Sequence, residues 1–551
     1  MGFFQSMGWI LITFVLFTAL VAVISWWKTR GDNLDTAEGY FLASRSLPGV
    51  VIAGSLLLTN LSAEQLVGTN GQAWKSNMGC MAWEAGSAIT LLVMAYYFLP
   101  RYLKCGMATI PQMLETRYDR PTKAIFSIGF LIVYICVSLP VILYSGALVF
   151  ENIFGISTMF GLSKFGAIAI ICVLTGIVGG CYAIFGGLKA VAVSDTINGV
   201  GLILGGLMVP FIGLMALGHM YGGDSGVALI DGLKYMVTAD PARMNAINAW
   251  NAPEPEVPWP LLFTGMFFNN LYAWCTHQSF VQRTLAARNL KEAQKGAIYA
   301  GFLKLMGPLY LVLPGIIAVY LLGDQVGMMD EAYPMLIAAI IPKPVMGFFA
   351  AVMFGAILSS FNSVLNSSVT MFTLDIYRGI LRPKATDLYC VRLGKWVGTV
   401  LAVVSIAVSP FVYFASSGIT TFLNSLLQYL AMPVLVAVLA GFIWDRLPAI
   451  APKVMAVFHV VVYAAFMLIA PTYPGSDAPI HYLYAIAVLF PVDMLIMWLF
   501  QRFRPTDKAF ALKDSGAVDL TPWKYRHVAS GIAIVLTIAI YILFSPLGLA
   551  K

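Results

Sequence analysis

Charge is what this sequence has least of. Asp, Glu, Lys and Arg make up 11% of its 551 residues, against about 25% in an ordinary soluble domain. A soluble chain of this length needs far more charge to cover its surface, so a soluble globular enzyme is excluded. Histidine is scarce too, with 5 in the chain. The seven cysteines, at 80, 105, 136, 172, 181, 275 and 390, form no CxxC or Cys/His spacing. Neither a disulfide framework nor a zinc site is supported. No basic segment precedes the first apolar run, and WWKTR follows it where a signal peptide would have a small-residue cleavage site. That run reads as a retained span. No polar stretch is long enough to fold as a domain with its own core.

What is present is apolar: 60% of the residues are hydrophobic and the mean hydropathy is +0.83. The chain reads as a polytopic, all-α membrane protein. A spanning helix needs about 20 mostly apolar residues. On that length fourteen spans are predicted: 8–27, 49–70, 80–99, 125–150, 166–186, 195–217, 259–280, 297–322, 337–372, 391–412, 420–443, 453–470, 482–501 and 528–547. The ninth run is longer than one crossing needs and is expected to project as a helix into the cytoplasm. Residues 218–258, with the acidic, Pro-rich NAPEPEVPWP near their end, form a long outer loop, and 502–527 a polar cytoplasmic one.

The net charge is +7. The basic residues are sorted by loop, which assigns the excess to membrane topology and not to nucleic acid. Cytoplasmic loops are enriched in Lys and Arg. With the N-terminus outside, 26 of the 33 Lys and Arg fall in inside loops, at 28–45, 101–123, 189, 283–295, 378–395, 446–453 and 502–526. A missed or extra span would scramble this alternation. Fourteen spans with both termini outside follow.

The imperfect spans are the informative ones. Span two gives way midway to Thr59-Asn60-Leu61-Ser62-Ala63-Glu64-Gln65, and span seven carries Asn269, Asn270, Thr276, His277 and Gln278. Irregular or polar backbone at membrane depth is tolerated where it is buried in protein or lines a wet cavity. Interrupted spans at matching places in two halves point to a transporter site. Ionisable residues inside spans are costly and usually functional. Here they are Glu84 in span three, Asp195 at the start of span six, Lys304 in span eight and Asp493 in span thirteen, the last with a structural role expected. Span nine holds a run of hydroxyls and amides, Ser359, Ser360, Asn362, Ser363, Asn366, Ser367 and Ser368. Such oxygens suit either a hard monovalent cation or close helix packing.

The strings EGYFLASRSLP (38–48), SLLLTNLSAEQLVG (55–68), WEAGSAIT (83–90), FGGLKAVAVSDTING (185–199), VQRTLAARNLKEAQKG (281–296) and AILSSFNSVLNSSVTMFTLDIYR (356–378) resemble the solute:sodium symporter family, most closely its bacterial sodium/sugar symporters. The resemblance covers essentially the whole chain. It implies the LeuT-type fold in one transporter domain. Residues 1–48 then form an extra first span and its loop, 49–217 and 259–443 two inverted repeats of five spans, and 444–551 three peripheral spans.

The resemblance also implies a sodium-coupled symporter of a sugar in a bacterial inner membrane, and not an enzyme. The sugar site it implies is Asn60, Gln65, Glu84, Ser87, Asn270, Trp274 and Lys304. In span eleven the family's glutamine aligns with Asn424, and Gln428 lies one turn further. The implied Na+ ligands are the carbonyls of Leu58, Leu61 and Ala356 and the hydroxyls of Ser359 and Ser360, with Asp195 and Ser363 at an ion exit or second ion position. One position departs from the pattern. The sugar symporters place a ring-bearing tyrosine before the span-seven tryptophan, and here Ala273 precedes Trp274. The inner lid then comes from Trp274, Tyr272 or another group, or the solute is larger. Within the family, sugar acids, polyols and amino acids are alternative solutes. An ion channel and a membrane enzyme are the rivals outside it, but the chain shows no pore signature, nucleophile motif or paired carboxylates.

Overall fold

A computed structural model describes residues 2–32, 34–223, 225–250, 257–414, 419–469, 471–472 and 480–551. Among these the chain is helical, with three isolated β-bridges and no strand. Twelve helices are long and apolar enough to cross a membrane. A thirteenth crossing is a bent pair, Gly49–Asn60 and Gln65–Lys75, at 56°. The one remaining predicted span, span seven, is divided into Trp259–Leu262, Gly265–Cys275 and Gln278–Leu285, each too short to cross alone. The apolar run at 337–372 is divided as well. It begins inside a short helix, Ala332–Ile340, breaks at Ile341-Pro342, and continues from Lys343. The helix then runs through π-helical turns to Leu381, well beyond one membrane thickness.

The peripheral helices carry their apolar side chains outward. Leu16, Trp26, Leu468, Val488 and Val535 are all exposed, as lipid-facing residues must be. The polar groups lie inside. Spans two, three, seven and eight surround the middle of the molecule, and helix Leu290–Leu305 packs closely on Gly49–Asn60. The approach depends on glycine: a Cβ at Gly296 would fall within 2.5 Å of Ile52 Cγ2.

Two local devices shape the helices around this centre. Pro314 has no N–H to give the Tyr310 carbonyl. The Asn70 amide donates to that carbonyl at 3.4 Å, and its Oδ1 accepts from Gly315 N at 2.8 Å. Spans five and six form one continuous stretch, Lys164–Tyr221, kinked at Gly187 with φ +64 and ψ −179. That conformation is essentially reserved for glycine, and it explains how so short a connection as FGGLKAVAV reverses the chain.

Among the described residues both long loops lie against the helices. Residues 228–239 of the first are helical and pack on the Lys164–Tyr221 helix; the acidic stretch 251–256 lies outside the described residues. The second is an extended strap. It bonds by backbone to Arg446 (2.9 Å), Asp445 (2.7 Å), Lys104 (2.9 Å) and Leu290 (2.9 Å). Asp493 is buried and receives His459 Nδ1 at 2.6 Å. Beside them the Tyr463 hydroxyl donates to the Ser425 carbonyl of span eleven at 2.9 Å.

Candidate functional site

The break in span two frees backbone oxygens. Helix Gly49–Asn60 ends because Leu61 leaves helical geometry at φ −76, ψ 76. In an unbroken helix the Ser62 amide would bond to the Leu58 carbonyl. It bonds instead to Asn60 O at 2.9 Å. Leu58 is thereby released, and Leu61, preceding the cap of the next helix, is released with it. Span seven breaks in the same manner. The His277 amide turns to Tyr272 O at 3.0 Å and leaves the Ala273 carbonyl free.

Facing the span-two break is the serine run of helix Lys343–Thr370. Ser359 and Ser360 are buried; the Ser359 hydroxyl stands against the Asp195 carboxylate, and the Ser360 hydroxyl has no hydrogen-bond partner. A buried hydroxyl without a partner is costly, so Ser360, with Ser359 beside it and the freed carbonyls opposite, forms a ready set of hard oxygen ligands. Behind them lies a charged cluster. Asp195 Oδ2 accepts from Ser55 Oγ at 2.7 Å. Arg283 Nη2 stands 3.7 Å from the same carboxylate, and Arg283 Nε donates to Ser55 at 2.9 Å. Ser363 accepts from Arg283, lies 3.2 Å from Thr59 Oγ1 and donates to the Ser359 carbonyl at 2.5 Å. Arg283 is a residue that sequence reasoning missed. It counts there among the loop cations, yet it is fully buried. Its place in Gln278–Leu285, directly after a broken span, was the available signal.

A cavity adjoins this cluster. Thr59 and Ser360 belong to its wall. Of the predicted solute-binding residues, Asn60, Gln65, Ser87, Asn270, Trp274, Asn424 and Gln428 line it. Glu84 and Lys304 do not; both are fully buried and paired with each other. Each is covered by an amide. Gln65 Nε2 donates to Glu84 Oε1 at 2.5 Å, and Lys304 donates to Asn60 Oδ1. Lys304 Nζ also lies 5.6 Å from the Trp274 ring centroid. No Asp, Glu, Lys or Arg stands among the described lining residues. The pocket therefore presents amides, hydroxyls and rings.

Many of those groups await a partner. Gln65 Oε1, Trp83 Nε1, Asn270 Nδ2, Gln428 Oε1 and the Tyr272 hydroxyl are all buried without a hydrogen bond. Their orientation is otherwise fixed. Ser87 Oγ donates to Asn270 Oδ1 at 3.2 Å, and Gln428 Nε2 to Asn269 Oδ1 at 2.7 Å. Polar atoms held in place yet unpaired are what a polyol, with a donor and acceptor on every hydroxyl, can satisfy. Asn269 and Tyr272 line the cavity as well, and so do Trp83, Ser138 and Ser279, which were not singled out from sequence. Trp83 adjoins Glu84, but Ser138 and Ser279 stand apart from any predicted site residue, and spacing alone did not bring them to the cavity.

A family model described as "Sodium:solute symporter family" matches residues 40–450. The uncharacterized symporter YidK of Escherichia coli is 41% identical over 96% of this chain and 90% of its own length. The sodium/glucose cotransporter of Vibrio parahaemolyticus is 30% identical over 97% and 98%. The mouse sodium/myo-inositol cotransporter is 28% identical over 87% of this chain and 71% of its own. Among solved structures, a Na+-coupled sialic acid symporter in a substrate-bound outward-open state superposes with TM-score 0.75. It is 19% identical and covers 91% of this chain and 99% of the other. That likeness establishes the LeuT-type fold.

Proposed function

This chain belongs to the sodium:solute symporter family, and from that premise we propose that it imports a neutral sugar or polyol together with sodium by alternating access. The observation that carries the reading is the unpaired Ser360 hydroxyl, with Ser359 next to it, beside a cavity of unpaired amides. Sodium would be held by the carbonyls of Leu58, Leu61 and Ala356 and by those two hydroxyls. Asp195 and Ser363 lie on its way out.

The cavity wall argues for a neutral solute. An anionic sugar acid wants an uncompensated cation, and Lys304 is already neutralised by Glu84. Asn60 and Gln65 would meet the sugar directly. Lys304 and Glu84 behind them would hold each amide in one orientation, so that hydrogen-bond polarity at the sugar is fixed. Sodium bound between the span-two break and span nine orders Asn60 and Gln65 on the same break. Coupling requires that this order differ between the two states of the transporter. The halves 49–217 and 259–443 then rock, and one sodium moving inward adds about 2.3 kcal/mol per 100 mV of membrane potential.

We place the protein in a bacterial inner membrane with both termini outside. The test is uptake into proteoliposomes under an inward sodium gradient, screening hexoses, polyols and sugar acids. Sodium-driven uptake of a neutral sugar or polyol is expected. Uptake that ignores sodium, or that accepts sugar acids alone, would overturn the reading.

A further inference from the structure

Asp195 lies where four helices meet, and its charge is answered from within the chain. It belongs to Lys164–Tyr221, Ser55 to Gly49–Asn60, Ser363 to Lys343–Thr370, and Arg283 to the half-helix Gln278–Leu285 that follows the break in span seven. All four residues are fully buried. The carboxylate accepts from Ser55 at 2.7 Å, faces the Ser359 hydroxyl, and has Arg283 Nη2 3.7 Å away.

The guanidinium is held on several sides. Nε donates to Ser55 Oγ at 2.9 Å, Nη2 to Ser363 Oγ and Nη1 to the Ser279 carbonyl. Ser363 in turn donates to the Ser359 carbonyl at 2.5 Å. The hard oxygens at this place, the Asp195 carboxylate and the Ser55 and Ser363 hydroxyls, are thus already turned to one cation. An arginine keeps its charge inside a protein, and a tethered cation is not carried across the membrane. A free sodium ion at Asp195 would stand close to that charge, in an interior that screens repulsion poorly. A single carboxylate neutralises one of the two and leaves the other uncompensated. The position beside the span-two break differs in kind. Its expected ligands are neutral carbonyls and hydroxyls, and the Ser360 hydroxyl among them is unpaired.

We infer that Arg283 fills the second ion position as a built-in cation, so that the protein carries one sodium ion per solute and not two. Asp195 and Ser363 then hold the arginine, and Arg283 is the residue that sets the ion count. This inference rests on the sodium reading above and names the ion stoichiometry of the same site.

The experiment counts ions and needs no solute. Purified protein in detergent is titrated with radiolabelled sodium, above a blank that holds excess unlabelled sodium. The wild type should bind one sodium per chain with a Hill coefficient of one. Arg283→Met removes the cation, leaves Asp195 uncompensated and should raise the count to two. Arg283→Lys and the charge-balanced double variant Asp195→Asn/Arg283→Met should each bind one. A purely structural role for Arg283 would lower sodium binding on substitution and would not double it. Two sodium ions per wild-type chain overturn the inference and leave sodium symport standing. So does a folded Arg283→Met that binds one. If Arg283→Met cannot be purified, the wild type and the double variant carry the test. Equal counts of one are expected, and a count that falls from two to one between them overturns the inference. If the wild type binds no sodium, the symport reading itself falls, and the inference with it.

Discussion

Removing one oxygen at Ser360 takes a neutral ligand from the ion position while leaving helix Lys343–Thr370 intact. Ser360→Ala is therefore expected to abolish sodium-dependent uptake, or to raise the half-saturating sodium concentration at least about tenfold, with the protein still inserted. Normal sodium affinity in that variant would place the ion elsewhere. Glu84 and Lys304 pose a different problem, because neither touches the cavity and each neutralises the other. Deleting one partner of a buried pair costs about 3–5 kcal/mol, since the other charge is left uncompensated. Glu84→Gln and Lys304→Ala should each lower thermal stability and weaken solute binding without altering the sodium requirement. The double variant Glu84→Gln/Lys304→Met should recover stability but not binding, because Gln65 and Asn60 lose the groups that orient them. Thermal unfolding beside solute titration separates the two effects. Normal transport by both single variants would show that the solute binds elsewhere.

At the scale of the element, helix breaks and helix ends carry the argument. Gly187 turns the chain between spans five and six with φ +64. An added Cβ would also stand 3.2 Å from Leu34 Cδ2 and 3.3 Å from the Tyr40 carbonyl. Gly187→Ala should destabilise the protein by about 1–3 kcal/mol, seen as a lower melting temperature in detergent with the sodium affinity of the surviving protein unchanged. Asp119 caps span four through Thr122 N at 2.8 Å and reaches Lys453, at the start of span twelve, at 2.5 Å. Burial alone would raise its pKa, but Lys453 and Thr122 together hold it below the usual carboxylate range. A folded-state pKa below the unfolded value stabilises above about pH 3.9 and is lost as pH falls through the folded value. Asp119→Ala should thus cost about 1 kcal/mol near neutral pH. Melting curves recorded from pH 7 to pH 3 should show the gap to wild type closing at the acid end.

For the whole molecule, the sorting of cations predicts an orientation with both termini outside. Twenty-six of the 33 Lys and Arg were assigned to one side from sequence. One of these, Arg283, is instead buried against Asp195, and moving it does not upset the alternation. An alkaline phosphatase fused after Lys551 should be active and a fluorescent protein there dark. The same reporters fused after Asp514, in the strap between the last two spans, should give the reverse. Fluorescence after Lys551 would put that end inside and remove one crossing from the count.

Length, hydropathy and charge placement determined on their own that the chain is a many-span membrane protein, because a lipid environment allows few ways to satisfy a backbone. They located the two broken spans too, since amides in mid-span have few other reasons to exist. The motif strings identified the family, and the serine run became a sodium expectation through them. Tertiary structure alone decided which polar residues face the cavity and which stand behind it. Glu84 and Lys304 are indistinguishable in sequence from groups that would touch a sugar. Their mutual neutralisation and their cover by Gln65 and Asn60 depend on three helices meeting. The burial of Arg283 against Asp195 was likewise hidden. Burial and the continuity of a cavity arise from contacts between segments hundreds of residues apart, and no local pattern records them.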